Sequence, residues 1–101
     1  MNQPAIGTVC VSRAGHDKGR AFLIVGVYDE NHVLLSDGET RKLPKPKKKK
    51  LSHLHLEPHF AEEIAKRLVS GEKILDADVR KALQLFGYNI NSDSCAKNAQ
   101  T

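Results

Sequence analysis

The densest chemistry in this 101-residue chain is cationic. Residues 41–50 read RKLPKPKKKK, with seven Lys or Arg in ten positions. Pro44 and Pro46 favour an extended backbone there. Extension spaces the ammonium groups of Lys45, Lys47, Lys48, Lys49 and Lys50 so that they can follow a run of phosphates, each neutralised phosphate releasing counterions. Lysine heads are point charges, so such a run grips a polyanion without reading its sequence. The run lies inside the chain and not at a terminus, so its like charges oppose packing unless something anionic covers them. Its side chains are expected to be solvated.

A second group lies upstream. Residues 6–27 read IGTVCVSRAGHDKGRAFLIVGV, a Val-rich strand, a turn with Gly15, Lys18 and Gly19, and a second apolar strand. A tight turn calls for positive φ, and a loop lying against a phosphate backbone is best without Cβ atoms, which suits Gly15 and Gly19. Arg13, Lys18 and Arg20 flank the turn as candidate phosphate contacts, and Asp17 is expected to pair with a neighbouring cation.

Other reactive types point elsewhere. Three of the five His, His53, His55 and His59, lie close together, and on a strand His53 and His55 would share a face. No Cys pair or suitably spaced carboxylate completes a metal site around them, so no metal is expected. Cys10 sits among apolar residues as a small buried side chain, without a basic partner to activate it. Paired carboxylates, a Ser-His pattern and a phosphate loop of nucleotide-binding type are absent from the sequence. No catalytic residue, cofactor or small-molecule substrate is therefore expected, and the chain reads as a binding protein, not an enzyme.

Composition supports a partner of opposite charge. The net charge is +4, with hydrophobic residues at 40% and charged residues at 28%. Residues 1–56 carry ten Lys+Arg against five Asp+Glu, whereas residues 57–101 carry six against seven. The basic half is the polyanion-binding candidate. Aromatics are 5% with no Trp, so base stacking cannot be the main grip. Cys10 and Cys95 are too few for a disulfide framework and read as free thiols in a reducing compartment. No signal-type or membrane-spanning apolar run occurs, which implies a cytoplasmic protein with no membrane partner.

The elements that must hold these groups are strands first and helices after. Strands are expected at 6–13, at 21–28, which is apolar on both faces and so buried, and at 33–36. Gly26 marks a bulge. The Asp37-Gly38 turn leads to a fourth short strand at 40–43, and Leu51, Leu54 and Leu56 close the set. Pro58 suits a first helical position, followed by a stripe of Phe60, Ile64 and Leu68 with Ala61 and Ala65. Ser70-Gly71 ends that helix. Asp76 or Asp78 caps a second helix carrying Val79, Leu83 and Phe86, ended by Gly87.

The 6–27 segment resembles the KOW motif, a strand-loop-strand unit of ribosomal proteins and transcription elongation factors. Val9, Val11, Gly15, Lys18, Gly19 and the alternating run after them carry the likeness. It extends to the KOW-bearing large-subunit ribosomal proteins of archaea and eukaryotes, from Gly7 through Asp37-Gly38 and again at the HLHL segment 53–56. Small bacterial KOW RNA-binding proteins are also similar. One departure stands at Ala21 and Phe22, where many KOW motifs carry a further Gly. The resemblance implies a small SH3-like β-barrel that binds RNA.

Together these features predict an α+β chain: a KOW barrel over 1–57 with a basic loop at 41–50, a helical hairpin over 58–88 and a disordered tail over 89–101. The expected partner is RNA, foremost ribosomal RNA or the ribosome. The contacts are Arg13, Gly15, Lys18, Gly19, Arg20, Arg41, Lys42, Lys45, Lys47, Lys48, Lys49 and Lys50. The helices are a cover for the barrel or a dock for a protein partner. The rival reading is a protein-interaction module of a transcription or translation factor, for which the lysine run would be superfluous.

Overall fold

A computed structural model describes residues 5–89. Five strands form one antiparallel sheet: β1 (Thr8–Ser12), β2 (Ala21–Val27), β3 (His32–Ser36), β4 (Lys47–Lys50) and β5 (Leu54–Phe60), in the order β4-β3-β2-β1-β5. A single 3-10 turn, Leu51–His53, joins β4 to β5. Two helices follow, α1 (Glu62–Ser70) and α2 (Asp76–Leu85). The chain is therefore α+β.

The central strands are apolar on both faces because each face has its own cover. Cys10, Phe22, Ile24, Val33, Leu35 and Leu54 form one buried cluster on the inner side of the sheet. Val9, Ala21 and Leu23 point the other way and pack with Ala61, Ile64, Val79 and Leu83. The helices thus cover the outer face of β1 and β2. Alternation alone assigns these faces, since successive side chains of a strand point to opposite sides. The register shifts between Ile24 and Gly26, as the lone glycine in β2 foretells.

Several expectations are corrected. The fourth strand is not 40–43, and 41–50 is not wholly loop: Lys47–Lys50 is itself the strand, paired antiparallel to β3. Residues 37–41 cannot extend, because the Asp37 carboxylate folds them into a turn. Its Oδ1 accepts the Glu39 and Arg41 N–H groups, both at 2.9 Å, and its Oδ2 accepts the Thr40 hydroxyl at 2.7 Å. Pro58 does not begin a helix, and Phe60 is not on a helical stripe; both stand in β5. The β1–β5 register breaks between Thr8↔Phe60 and Cys10↔Leu56, so Pro58 occupies an irregular stretch of an edge strand, where a missing N–H costs little. His53 lies in the 3-10 turn, so it does not share a strand face with His55.

The helix C-termini follow the expected glycines, but the N-cap of α2 is Leu75 and not Asp76 or Asp78, which stand inside its first turn. Gly71 (φ 83) closes α1 in the left-handed region. After α2, the Tyr88 N–H reaches Leu83 O at 3.0 Å and the Gly87 N–H reaches Gln84 O at 2.9 Å, a Schellman closure. At the start of α2, Asp78 Oδ2 accepts the Leu75 N–H at 3.0 Å, while Asp76 Oδ1 accepts the Leu43 N–H at 2.7 Å. Asp76 thereby ties the loop before β4 to the helix. Asn89 brackets the Ala21 backbone, accepting its N–H at 3.2 Å and donating to its carbonyl at 3.0 Å. Cys95 and the rest of the expected tail from residue 90 onward lie outside the described residues.

Asp37 supplies a pH-dependent share of stability. Burial opposes its ionisation, but the backbone N–H groups of Arg41 and Glu39, the Thr40 hydroxyl and the Arg20 guanidinium outweigh that and hold its pKa below the ordinary 3.8. A depressed folded-state pKa gives stability that is fully present above the unfolded value and lost as pH falls through the folded one. The urea midpoint is therefore expected to fall as pH drops below about 4. In Asp37→Asn the midpoint should start lower and lose this part of its acid dependence. Equal midpoints for the two proteins at neutral pH would contradict this role.

Candidate nucleic-acid interface

The β1–β2 connection is a hydrogen-bonded loop. Gly19 N–H donates to Ser12 O at 2.8 Å, and Ser12 N–H donates to Arg20 O at 3.0 Å. Lys18 N–H reaches Gly15 O at 3.2 Å and Arg20 N–H reaches Asp17 O at 2.9 Å. Gly15 (φ 80) and Gly19 (φ 88) both take the left-handed conformation the turn demands. A Cβ on Gly19 would meet nothing within 4 Å. Its constraint is the backbone angle alone, and its outer side is open. Arg13 and Lys18 project from this loop, exposed.

The lysine strand lies beside that loop. Lys49 Nζ donates to Ala14 O at 3.1 Å. Asp17 Oδ2 sits between two cations, 3.7 Å from Arg41 and 3.8 Å from Lys47, so its partners come from the distant lysine-rich stretch and not, as expected, from the cations beside it in the loop. Two stretches 35 residues apart in the chain, as Ala14 and Lys49 are, thus make one cationic surface with Asp17 at its seam.

The register divides the lysines into two rows. Lys47 stands opposite Leu35 and Lys49 opposite Val33, both partners in the inner cluster. Lys47 and Lys49 are half-buried, their aliphatic stems lying at the inner side while their ammonium groups reach the loop. These two are not the solvated side chains expected from the sequence. Lys48 stands opposite Leu34 and Lys50 opposite His32, on the outer side, and both are exposed. Lys48 Nζ lies 4.4 Å from the centroid of the Tyr28 ring. Neither Tyr28 nor His32 was singled out from the sequence; the available signal was their place on either side of the Asp29-Glu30-Asn31 turn, just past the end of β2 and at the start of β3.

The remaining expected contacts differ in freedom. Lys42 and Lys45 are exposed on the loop before β4. Arg20 is bound within the molecule, its guanidinium paired with both Asp37 and Glu39. Arg41 is half-buried, and its Nε is buried with no hydrogen-bond partner.

On β5 a separate polar set forms. Glu57 accepts the Tyr88 hydroxyl at 2.7 Å and lies 2.6 Å from His55 Nδ1. Burial, and then the hydrogen bond to Glu57, push the Tyr88 hydroxyl up to about 12. His59 stacks on Phe86 with centroids 4.9 Å apart. Cys10 is buried, and burial followed by the charge of Glu57 pushes its thiol up to about 12, so it stays protonated at neutral pH. Among the described residues, no group of three or more His, Cys, Asp or Glu is placed to hold a metal ion. No described helix is long and apolar enough to cross a membrane.

No family model matches the chain. Curated relatives do. The chain is 36% identical to the large ribosomal subunit protein eL14 of Desulfurococcus amylolyticus over 72 residues, 71% of this chain and 73% of the relative. It is 33% identical to the protein of the same name from Staphylothermus marinus over 85 residues, covering 84% of this chain and 86% of the relative. With the Pyrobaculum arsenaticum protein of that name it shares 35% over 72 residues, 71% of this chain and 68% of the relative. The chain belongs to the family of the large ribosomal subunit protein eL14.

Proposed function

We propose that this protein is a cytoplasmic, ribosome-associated RNA-binding protein that grips ribosomal RNA by its phosphates. The observation that carries this is the meeting of the β1–β2 loop with the lysine strand at Lys49 and Ala14. Arg13 and Lys18 on the loop, with Lys42, Lys45 and the β4 lysines beside it, form a cationic track. Gly15 and Gly19 let a phosphate backbone approach the loop closely. Arg20 serves as the brace that fixes the loop to the Asp37 turn, and Arg41 holds Asp17. The relatives' names place them in the large ribosomal subunit, which agrees with this reading. The protein is not an enzyme: its family is one of structural ribosomal components.

We read the sheet as a small SH3-like barrel. A flat sheet of five strands spans about 19 Å between its outermost members. The path from Lys50 to Leu54 is four residues, about 14 Å at full stretch, yet it joins the two outermost strands. The sheet must therefore curl toward closure. The helices have a second role open to them. Val69, Leu75 and Leu85, large apolar side chains left exposed at 78%, 54% and 87%, are the candidate contacts for a protein neighbour on the helical side.

The test is sedimentation of the tagged full chain through sucrose gradients of lysate from its own cells. At low salt it should travel with the large ribosomal subunit, and raising the salt should release it. Recovery only in the free fraction at low salt would refute ribosome association.

A further inference from the structure

Beyond the phosphate track, the outer end of the β2–β3–β4 hairpin carries a group with a different character. The Tyr28 N–H donates to His32 O at 3.0 Å, so Tyr28 pairs with His32 across the hairpin. The register then puts Tyr28, His32, Lys48 and Lys50 on one face, opposite to Val33 and Leu35. Tyr28 is 59% exposed. Lys48 Nζ stands 4.4 Å from its centroid, and His32 meets it nearly edge-on at 6.3 Å and 79°. His32 is itself held: its Nδ1 lies 2.9 Å from Asp29 Oδ1, and its N–H donates to the same oxygen at 2.8 Å. The ring is thus presented on a braced hairpin, flanked by cations.

We propose that this face is a second RNA subsite, in which Tyr28 stacks on an unpaired base and Lys48 and Lys50 hold the phosphates beside it. The proposal rests on the RNA-binding reading and extends it from phosphates to bases. A phosphate track alone has no use for an exposed aromatic ring, whereas an aromatic surface beside cations is the arrangement that binds unstacked nucleotides. RNA offers such bases in loops and bulges, where they can splay onto a protein ring. Lys48 touches the ring and so holds it in place by cation–π attraction while keeping its charge near the strand. Asp29 and Glu30 at the hairpin tip repel phosphate, while Lys50, level with His32 beside that tip, and Lys48, two residues farther along β4, attract it, so the nucleotide's backbone crosses from Tyr28 onto the β4 lysines. The two lysine rows then divide the work: Lys47 and Lys49 join the β1–β2 loop, and Lys48 and Lys50 serve the ring.

The experiment uses the full chain and two RNAs with equal numbers of phosphates, a hairpin with a loop of unpaired adenines and a continuous duplex. Tyr28→Leu should weaken binding to the hairpin about 5- to 100-fold, leave the duplex affinity as it was, and leave the salt slope unchanged because no charge is lost. Tyr28→Phe should keep hairpin affinity within about twofold, since the stacking face survives. Tyr28→Trp adds a unique reporter, as the chain has no Trp; the hairpin should quench its fluorescence and the duplex should not. Wild-type affinity of Tyr28→Leu for the hairpin overturns the proposal, as does an equal loss on both RNAs. Failure of the wild-type chain to bind either RNA overturns instead the RNA-binding reading beneath it, and the stacking subsite with it.

Discussion

Changing Lys45, Lys47, Lys48, Lys49 and Lys50 together to Gln is expected to lower RNA affinity by about three orders of magnitude at about 0.1 M salt. The slope of log K against log salt should flatten by about three to four. The reason is that each phosphate neutralised by a lysine releases a fraction of a condensed counterion, and five contacts vanish at once. The fold should survive with a modest loss. Lys48 and Lys50 are exposed, but Lys47 is paired with Asp17 and Lys49 with Ala14 O. Partly exposed pairs of this kind contribute about 0–1 kcal/mol each, so the melting point should drop by a few degrees at most. Filter binding over a salt series reads the slope, and circular dichroism reads the fold. The Arg13→Gln, Lys18→Gln pair should give a shallower version of the same change, because two charges go instead of five. An unchanged slope in the five-Gln chain would make the lysine strand a bystander. The protein-interaction reading would then take precedence.

Much of the architecture is legible in the residues, and the parts that are not share a cause. The two-sided apolar run of β2, the Gly26 bulge and the glycines after both helices are written locally, through period and backbone freedom. So is the turn at Gly15 and Gly19. The lysine strand is not. Lysine is depleted in strands, and four like charges in a row offer no apolar alternation. What makes Lys47–Lys50 a strand is the pairing to β3, a long-range fact, and its place at the sheet edge, where lysines also deter pairing with another chain. Pro58 and Phe60 mislead for a related reason. Phe60, Ile64 and Leu68 have helical spacing, yet Phe60 belongs to β5 because it pairs with Thr8. In the candidate site the basic residues themselves are plain from sequence, but their division of labour is not. Arg20 looks like its neighbours until Asp37 and Glu39 are brought to it across the sheet. The split of the lysines into two rows needs the register, and Tyr28 gains its meaning only once Lys48 is beside it.

The largest loss of stability is expected from Gly38→Val. Gly38 has φ 76, and its position is pressed against the first turn of α2. A Cβ there would lie 2.2 Å from Asp76 O, 2.9 Å from Arg80 N and 3.2 Å from Asp76 C, all of them backbone atoms that no rotamer change can move. The turn is also fastened to that helix. Arg80 donates to Gly38 O at 3.4 Å, and the Leu43 N–H donates to Asp76 Oδ1 at 2.7 Å. Relief requires α2 to shift from the sheet, which would open the packing of Val79 and Leu83 on Ala21 and Leu23. The left-handed conformation costs a side-chain-bearing residue about 1–2 kcal/mol, and a β-branched one resists it most. Forcing extra atoms into a packed contact adds about 1–3 kcal/mol. A domain of this size loses about 4–8 °C per kcal/mol, so a melting point lower by about 15 °C or more is expected. Gly19→Val is the matched control: its φ of 88 carries the conformational cost, but its Cβ meets nothing within 4 Å. It should fall by about half as much, and it should weaken RNA binding even where the chain is folded. Gly38→Val, on the helix side of the turn, should bind RNA normally at temperatures where it remains folded. Thermal melts followed by far-ultraviolet circular dichroism make the comparison. A Gly38→Val chain melting within about 3 °C of wild type, far below the 4–8 °C that even one kcal/mol would cost, would mean that the turn is not docked on α2.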